Sequence, residues 1–265
     1  QRYDKAPQDE FKKIPGSPIA YWLPPAALSA FKLDSVRDHA VVRKGMYTSD
    51  NARFVRQWTD VSWDAIGVSM TREKAAESGA RWFPYANGGY YRKWFGNIDD
   101  VVMWEQDGQL VRHEVDENGK VRAGAFNLDY IFSPGICWTS LSSSFFAARL
   151  LPKGMLFSSA SSSLFPIEPK QLALLLGVLN SSASGYFMRA INPTLNFNAG
   201  DIAKLPIPHL SKTQVDELVT DVEGLIELYR GDWARREVSW DFVMPDLLLH
   251  SVDCGTLREC LNVVA

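Results

Sequence analysis

Four cations in two short stretches have the type and spacing to do chemistry, and that chemistry is the holding of a polyanion. In residues 43–58, RKGMYTSDNARFVRQW, Arg53 and Arg56 stand three apart. On a helix begun at Asp50 and Asn51, both project from one face. In residues 81–97, RWFPYANGGYYRKWFGN, seven aromatic rings and two adjacent glycines accompany Arg81, Arg92 and Lys93. A core strand takes the rings but has no room for three cations and a central glycine pair. The segment predicts Trp82, Phe83, Trp94 and Phe95 mostly in the core. It also predicts that Asn87-Gly88-Gly89 forms a loop tip exposing Tyr90, Arg92 and Lys93, where glycine lets backbone amides approach a phosphate. The competing reading is structural: a solvated face over buried Phe54 and Trp58, and an ordinary turn with snorkelling cations.

No catalytic constellation accompanies these residues. There is no GxSxG, no GKS or GKT phosphate loop, no GxGxxG after a strand and no glycine-rich loop for S-adenosylmethionine. INPTLNF at 191–197 invites comparison with the Asn-Pro-Pro-aromatic motif of amino-methyltransferases, but Thr194 and Leu195 stand where a second proline and an aromatic are needed. His39, His113, His209 and His250 form no HxxxH or HExxH pair, and Cys137, Cys254 and Cys260 show no CxxC spacing. The cysteines read as reduced and structural, and a metal site has no support.

The elements that must position these side chains follow from periodicity. Residues 1–35 read as a proline-punctuated connector ending in a short helix over 25–31. Residues 36–208 read as a β-rich domain with strands at 100–104, 135–141, 145–151 and 154–160. A hairpin of 110–115 with 120–126 turns at Asn118-Gly119. One helix over 168–191 interrupts the strands, and a strand-like 196–208 closes the region. Residues 209–265 read as a helical C-terminal segment: Ser211 and Gln214 have capping-box spacing, Val215, Leu218, Val222, Leu225, Ile226 and Tyr229 recur at three and four, and Gly231 ends the run. The expected class is α+β, a mixed or antiparallel β-rich domain followed by helix.

Composition bounds the function classes. With 46% hydrophobic and 22% charged residues, the chain is an ordinary globular one. Its longest apolar run, 172–179, has eight residues, too short for a bilayer. The polar opening QRYDKAPQDEF has no signal-peptide core, so a cytoplasmic location and no membrane partner are expected. Net charge is −3, but residues 43–93 carry nine Lys/Arg against five Asp/Glu. A local positive face is therefore compatible with an acidic whole.

Several stretches together resemble a known family. GSPIAYW, GMYTSDNARFVRQW, RWFPYANGGYYRKWFGNIDDVVMWEQDG, GICWTSLSSS, FSSASSSLFP, LLGVLNS, NPTLNFNAGDIAKLPIP and DWARREVSWDF resemble, in that order, the C-terminal half of the adenine-specific DNA methyltransferases of BREX phage-defence systems, the PglX family. More distantly the chain is similar to the recognition regions of combined restriction and modification enzymes and of type I specificity subunits. The resemblance implies a DNA target-recognition region whose S-adenosylmethionine-dependent catalytic domain lies upstream. This chain would contain no catalytic residue itself and would hold duplex DNA while that domain methylates an adenine N6. It implies DNA contacts at Arg53, Arg56, Arg92 and Lys93, with Asn51, Asn87 and Tyr90 nearby and Ser140, Ser142 and Ser143 as polar groups in a loop after a strand. The expected partners are double-stranded DNA, the methyltransferase domain and other defence proteins, with a phage DNA mimic competing for the positive face. The rival readings are a protein-interaction scaffold working through the acidic C-terminal helix and a carbohydrate-binding module using exposed rings.

Overall fold

Strands that are apolar on both faces can only be satisfied between two layers, and that requirement organises this chain. A computed structural model describes residue 14, residues 22–143 and residues 145–245. In chain order the strands are β1 (Ala40–Arg43), β2 (Val55–Gln57), β3 (Trp82–Ala86), β4 (Asp100–Met103), β5 (Gly135–Trp138), β6 (Ala148–Leu151), β7 (Leu156–Phe157) and β8 (Ser163–Pro166). One sheet is antiparallel, in the order β1-β8-β5-β6. The other runs β2-β4-β3-β7, with β3 and β7 parallel. In β5, Ile136 and Trp138 face a helical core while Cys137 faces the second sheet, and β8 splits Leu164 and Phe165 the same way. The antiparallel sheet is therefore the middle of three layers, and the α+β class expected from the sequence is observed.

In chain order the helices are α1 (Pro25–Ala30), α2 (Val36–His39), α3 (Asn51–Phe54), α4 (Arg72–Glu77), α5 (Glu105–His113), α6 (Leu172–Asn180), α7 (Ser182–Ile191), α8 (Ala199–Ile202) and α9 (Lys212–Ala234). Helices α2, α6, α7, α8 and α9 bury residues in the core on the outer face of the antiparallel sheet, whereas Phe54 of α3, Ala75 of α4 and Val111 of α5 belong to the core shared with the second sheet. The capping box at Ser211 and Gln214 forms as the spacing predicts. However, α9 runs through Gly231 to Ala234, because Trp233 is buried and anchors the last turn. Its apolar stripe packs on α6, where a Cβ on Gly177 would lie 2.9 Å from Val222 Cγ2. Glycine is what lets the two helices approach. No described helix is long and apolar enough to cross a membrane. Most of the connector, residues 1–13 and 15–21, and the tail with His250, Cys254 and Cys260 lie outside the described residues.

Three sequence expectations are corrected. The helix expected over 168–191 is broken at Ser181, whose hydroxyl donates to Val178 O of the first helix at 2.7 Å and caps the second by accepting from Ser184 N. The strand expected at 196–208 is instead the short helix α8 flanked by isolated bridges to Leu141 and Ser35. Residues 110–113 are helical, so the hairpin shrinks to one bridge between Val115 and Val121 around the Asn118-Gly119 turn. The cause is Asp107. Gln106, Asp107 and Gly108 all take positive φ, a left-handed turn that costs strain in the two non-glycine residues. The Asp107 carboxylate holds it, accepting from Arg72 at 2.6 and 2.8 Å, from Arg112 at 2.6 Å and from Trp104 Nε1 at 3.3 Å.

Those bonds, the one from Arg72 foremost, keep the Asp107 carboxyl below the ordinary carboxylate value of 3.8 despite partial burial. A depressed folded-state value means stability that is present above pH 3.8 and lost as pH falls through the folded value. Asp107→Asn is expected to lower stability at neutral pH by about 2 kcal/mol and to remove that acid-side dependence, as read by urea unfolding across pH 3 to 7.

Candidate nucleic-acid interface

The segment that follows β3 leaves the sheet at Asn87, whose amide donates to Asp100 Oδ2 at 2.9 Å. Burial raises the Asp100 carboxyl, and the Asn87 bond moderates the rise. Gly88 and Gly89 take φ of +88° and +107°, with Ala160 O and the Asn97 side chain 3.0 and 2.8 Å from where their Cβ atoms would sit. Both positions thus require glycine. Tyr90 is 90% exposed, as expected of a loop tip. Phe83, Trp82 and Phe95 are buried and Trp94 is half-buried.

Arg92 corrects the expectation. It is 9% exposed and turned inward between the rings of Tyr229 and Trp233, 5.4 and 5.2 Å away. Its guanidinium donates to Phe95 O at 2.6 Å, Tyr229 O at 2.9 Å and Asp232 Oδ2 at 2.7 Å. The acidic helix, 140 residues further on, supplies a better partner than solvent does. Lys93 is half-buried and donates to Asn180 O at 2.9 Å.

Arg53 and Arg56 are not on one helix face. Asp50 caps α3 by accepting from Arg53 N at 3.1 Å, but α3 ends at Phe54 and Val55 begins β2. Buried Phe54 is the reason: the chain must turn into the sheet immediately after it. Arg53 pairs with Glu114 at 2.7 Å, Arg56 bonds the carbonyls of Val55 and Ala52, and the Asn51 carbonyl accepts from Thr48. None of these three lines the clefts described next.

Two open clefts lie on either side of a corner made by residues 139–143, Phe145 and residues 193–198. The first, of about 530 Å³, is lined by Lys44, Asn87, Gly88, Gly89, Thr139, Ser140, Ser159, Ser162, Asn196, Asn198 and Gly200, among others. The second, of about 510 Å³, includes Tyr91, Lys93, Asn180, Ser181, Arg189, Asn192, Thr194 and the rings of Phe145 and Phe197. Neither contains a carboxylate. Lys44 and Arg189 are exposed and form no ion pair among the described residues. Of the expected serines, Ser140 bonds Ser162 at 3.1 Å, Ser142 N donates to Leu195 O, and Ser143 is exposed.

The corner is rigid. Asn192 donates to Asp201 at 2.7 Å and to Asn196 O at 3.0 Å, and accepts from Thr194 N and Oγ1. Burial raises the Asp201 carboxyl, but bonds from Lys204, Asn192 and Asn198 outweigh it and hold the group below the usual range. INPTLNF is thus a structural turn whose asparagine amide is already used.

Behind the first cleft lies a residue the sequence reading missed. Arg149 is 1% exposed and donates to Gly88 O at 3.2 Å, Arg92 O at 3.4 Å and Thr139 Oγ1 at 3.4 Å. It bonds both the glycine loop and the loop after β5. Among the described residues it has no carboxylate partner, and its Nε has no acceptor. The only trace in the sequence is one arginine inside the apolar run FFAARLL.

No protein-family model matches the chain. It is 37% identical over 244 residues to the adenine-specific methyltransferase PglX of Lacticaseibacillus casei (strain Zhang), covering 91% of this chain and 20% of that protein. It is 36% identical over 250 residues to the adenine-specific methyltransferase BrxX of Escherichia coli O9:H4 (strain HS), covering 92% of this chain and 19% of that protein. The chain therefore spans about one-fifth of the length of the curated relatives it matches, and it is homologous to a region of them.

Proposed function

We propose that this homologue of one region of the adenine-specific methyltransferases is their DNA target-recognition part, in a phage-defence system, and that it holds duplex DNA for a catalytic domain outside this chain. The observation that carries the reading is the pair of carboxylate-free clefts, lined by cations, amides, hydroxyls and glycine backbone, in a chain whose net charge is −3. The carboxylate-free surface ends at the glycine loop, because the cleft on the Tyr90 side of that loop includes Asp99 and Asp100. Polyanion binding selects against carboxylates at the contact and leaves the rest of the surface free to be acidic.

In this reading Lys44, Lys93 and Arg189 hold phosphates. Asn87, Ser140, Ser142 and Ser143 belong to the same face, and Tyr90 stands at its border. Asn51, Arg53 and Arg56 are outlying contacts on a separate patch, and Arg92 is withdrawn as a contact because its donors are committed internally. The methyl donor, S-adenosylmethionine, is assigned to the catalytic domain outside this chain, a reading supported by the methyltransferase relatives.

The test is binding of the chain to a random-sequence duplex between ~50 and ~300 mM salt. Log affinity is expected to fall linearly with log salt, by about 0.9 per phosphate contacted. Lys44→Ala and Arg189→Ala, both at exposed positions, should each flatten the slope by about 1. Absence of salt-dependent binding at low salt removes the proposal and favours the protein-interaction scaffold.

A further inference from the structure

Between the two clefts the chain forms an apolar ridge on a polar base. Residues 140–142 run antiparallel to 195–197: Ser142 N donates to Leu195 O at 3.1 Å, Phe197 N donates to Ser140 O at 2.7 Å, and Leu141 pairs with Asn196. The result is a short two-stranded ribbon. Leu141, 64% exposed, shares one face of the ribbon with Asn196 and lines the first cleft, whereas Leu195, 55% exposed, shares the opposite face with Ser142 and with Phe197, which lines the second cleft. Phe145, 75% exposed, extends the tip toward the second cleft.

Apolar side chains held out in water by a braced turn gain free energy once something covers them. The charge on either side decides what covers these. Lys44 flanks one side and Lys93 and Arg189 the other, with no carboxylate in either cleft. An apolar protein surface has no need of cations along both flanks, whereas a duplex carries a phosphate rail on each side of a groove. The major groove, about 12 Å wide, admits a two-stranded ribbon, and the minor groove, about 6 Å wide, does not. In the major groove the apolar feature on offer is the C5 methyl of thymine. The ridge hydroxyl nearest the floor, on Ser140, is already bonded to Ser162.

Resting on the recognition reading above, we infer that the ribbon of residues 140–142 and 195–197 enters the major groove edge-first, with Leu141 on one face and Leu195 on the other each packing against a thymine methyl group on its own side of the groove. The site recognised by this chain then contains thymines at the ridge contacts, read by shape and apolar burial rather than by hydrogen bonds.

The experiment selects duplexes with the chain from a random-sequence pool and resynthesises them with deoxyuridine for thymidine, which deletes the methyl and keeps base pairing. Wild-type affinity is expected to fall on the order of fourfold for each buried methyl, with the salt slope unchanged. The double variant Leu141→Ser, Leu195→Ser is expected to bind both duplexes equally. Both leucines are exposed, so the variant should fold, which thermal unfolding checks. Equal wild-type affinity for the two duplexes, with salt-dependent binding intact, overturns the methyl contact and leaves the recognition function standing. A double variant that keeps the wild-type preference for thymidine also overturns it. Loss of all salt-dependent binding by the wild type removes both.

Discussion

Arg149→Met is expected to lower stability by about 3 kcal/mol and DNA affinity at least tenfold, without changing the salt slope. Three acceptors, Gly88 O, Arg92 O and Thr139 Oγ1, lose their donor together. Each buried acceptor left unpaired costs about 1–3 kcal/mol. Against that stands relief from burying a guanidinium with no carboxylate beside it. The three lost bonds are expected to outweigh this relief, and urea unfolding reads the difference. A change near zero would mean that relief from charge burial balances them. The affinity loss has a different origin. Arg149 does not reach the surface, so it releases no counterion, and the number of phosphates counted by the salt slope stays fixed. A slope reduced by about 1 would instead make Arg149 a direct phosphate ligand. Thr139→Val, which removes one acceptor of Arg149 together with the hydroxyl's own bond to Gly89 O at 3.1 Å, should show the same pattern in weaker form.

Arg92→Ala is the second large effect, with an expected cost of about 3–5 kcal/mol. The substitution removes a guanidinium stacked between Tyr229 and Trp233 and strands Phe95 O in the interior. The ion pair with Asp232 adds little, because the Asp232 carboxylate is largely exposed to water. Asp232→Asn is therefore expected to cost under about 1 kcal/mol. Arg92→Lys should restore only a minor part, since an ammonium cannot stack between two rings and serve three acceptors as a planar fork does. Hydrogen exchange at residues 225–234 should rise in Arg92→Ala and not in Asp232→Asn. Uniform exchange across α9 in both would show that the helix end is held by Trp233 alone.

The two arginines bear on how the loop from Gly88 to Phe95 is held. Arg149 fixes its beginning at Gly88 and Arg92 fixes its far end against α9, so Tyr90 is displayed between two buried clamps. The acidic C-terminal helix is, on this geometry, a brace for the loop through Asp232 and the Tyr229 carbonyl. The α9 contact that the scaffold reading would keep for a partner is partly used within the chain.

Local chemistry was legible in the sequence wherever neighbours along the chain decide the outcome. The Ser211 capping box, the Asp50 cap, the strands at β4, β5, β6 and β7, the glycine pair and the exposed Tyr90 all follow from propensities and periods spanning a few residues. The motifs also carried the resemblance to the PglX-family methyltransferases, which the identity over nine-tenths of the chain bears out. What the sequence left undecided was the side to which a long charged side chain turns. Arg92 and Lys93 are adjacent and chemically alike, yet Tyr229, Trp233 and Asp232 from α9 draw one inward, and the other lines a cleft. Arg53 and Arg56 part company because Phe54 must reach the core. Arg149 sits in an apolar run and becomes the cleft's buried support only when β6 brings it beneath loops from residues 88 and 139. The carboxylate-free face and its apolar ridge likewise join Lys44, Leu141, Arg189 and Leu195, residues up to 151 positions apart. Period and propensity set most helical and extended segments, but at 110–113 and 199–202 tertiary contacts made helix of what the pattern read as strand, and the direction of a loop side chain depends on acceptors and rings brought close only by tertiary packing.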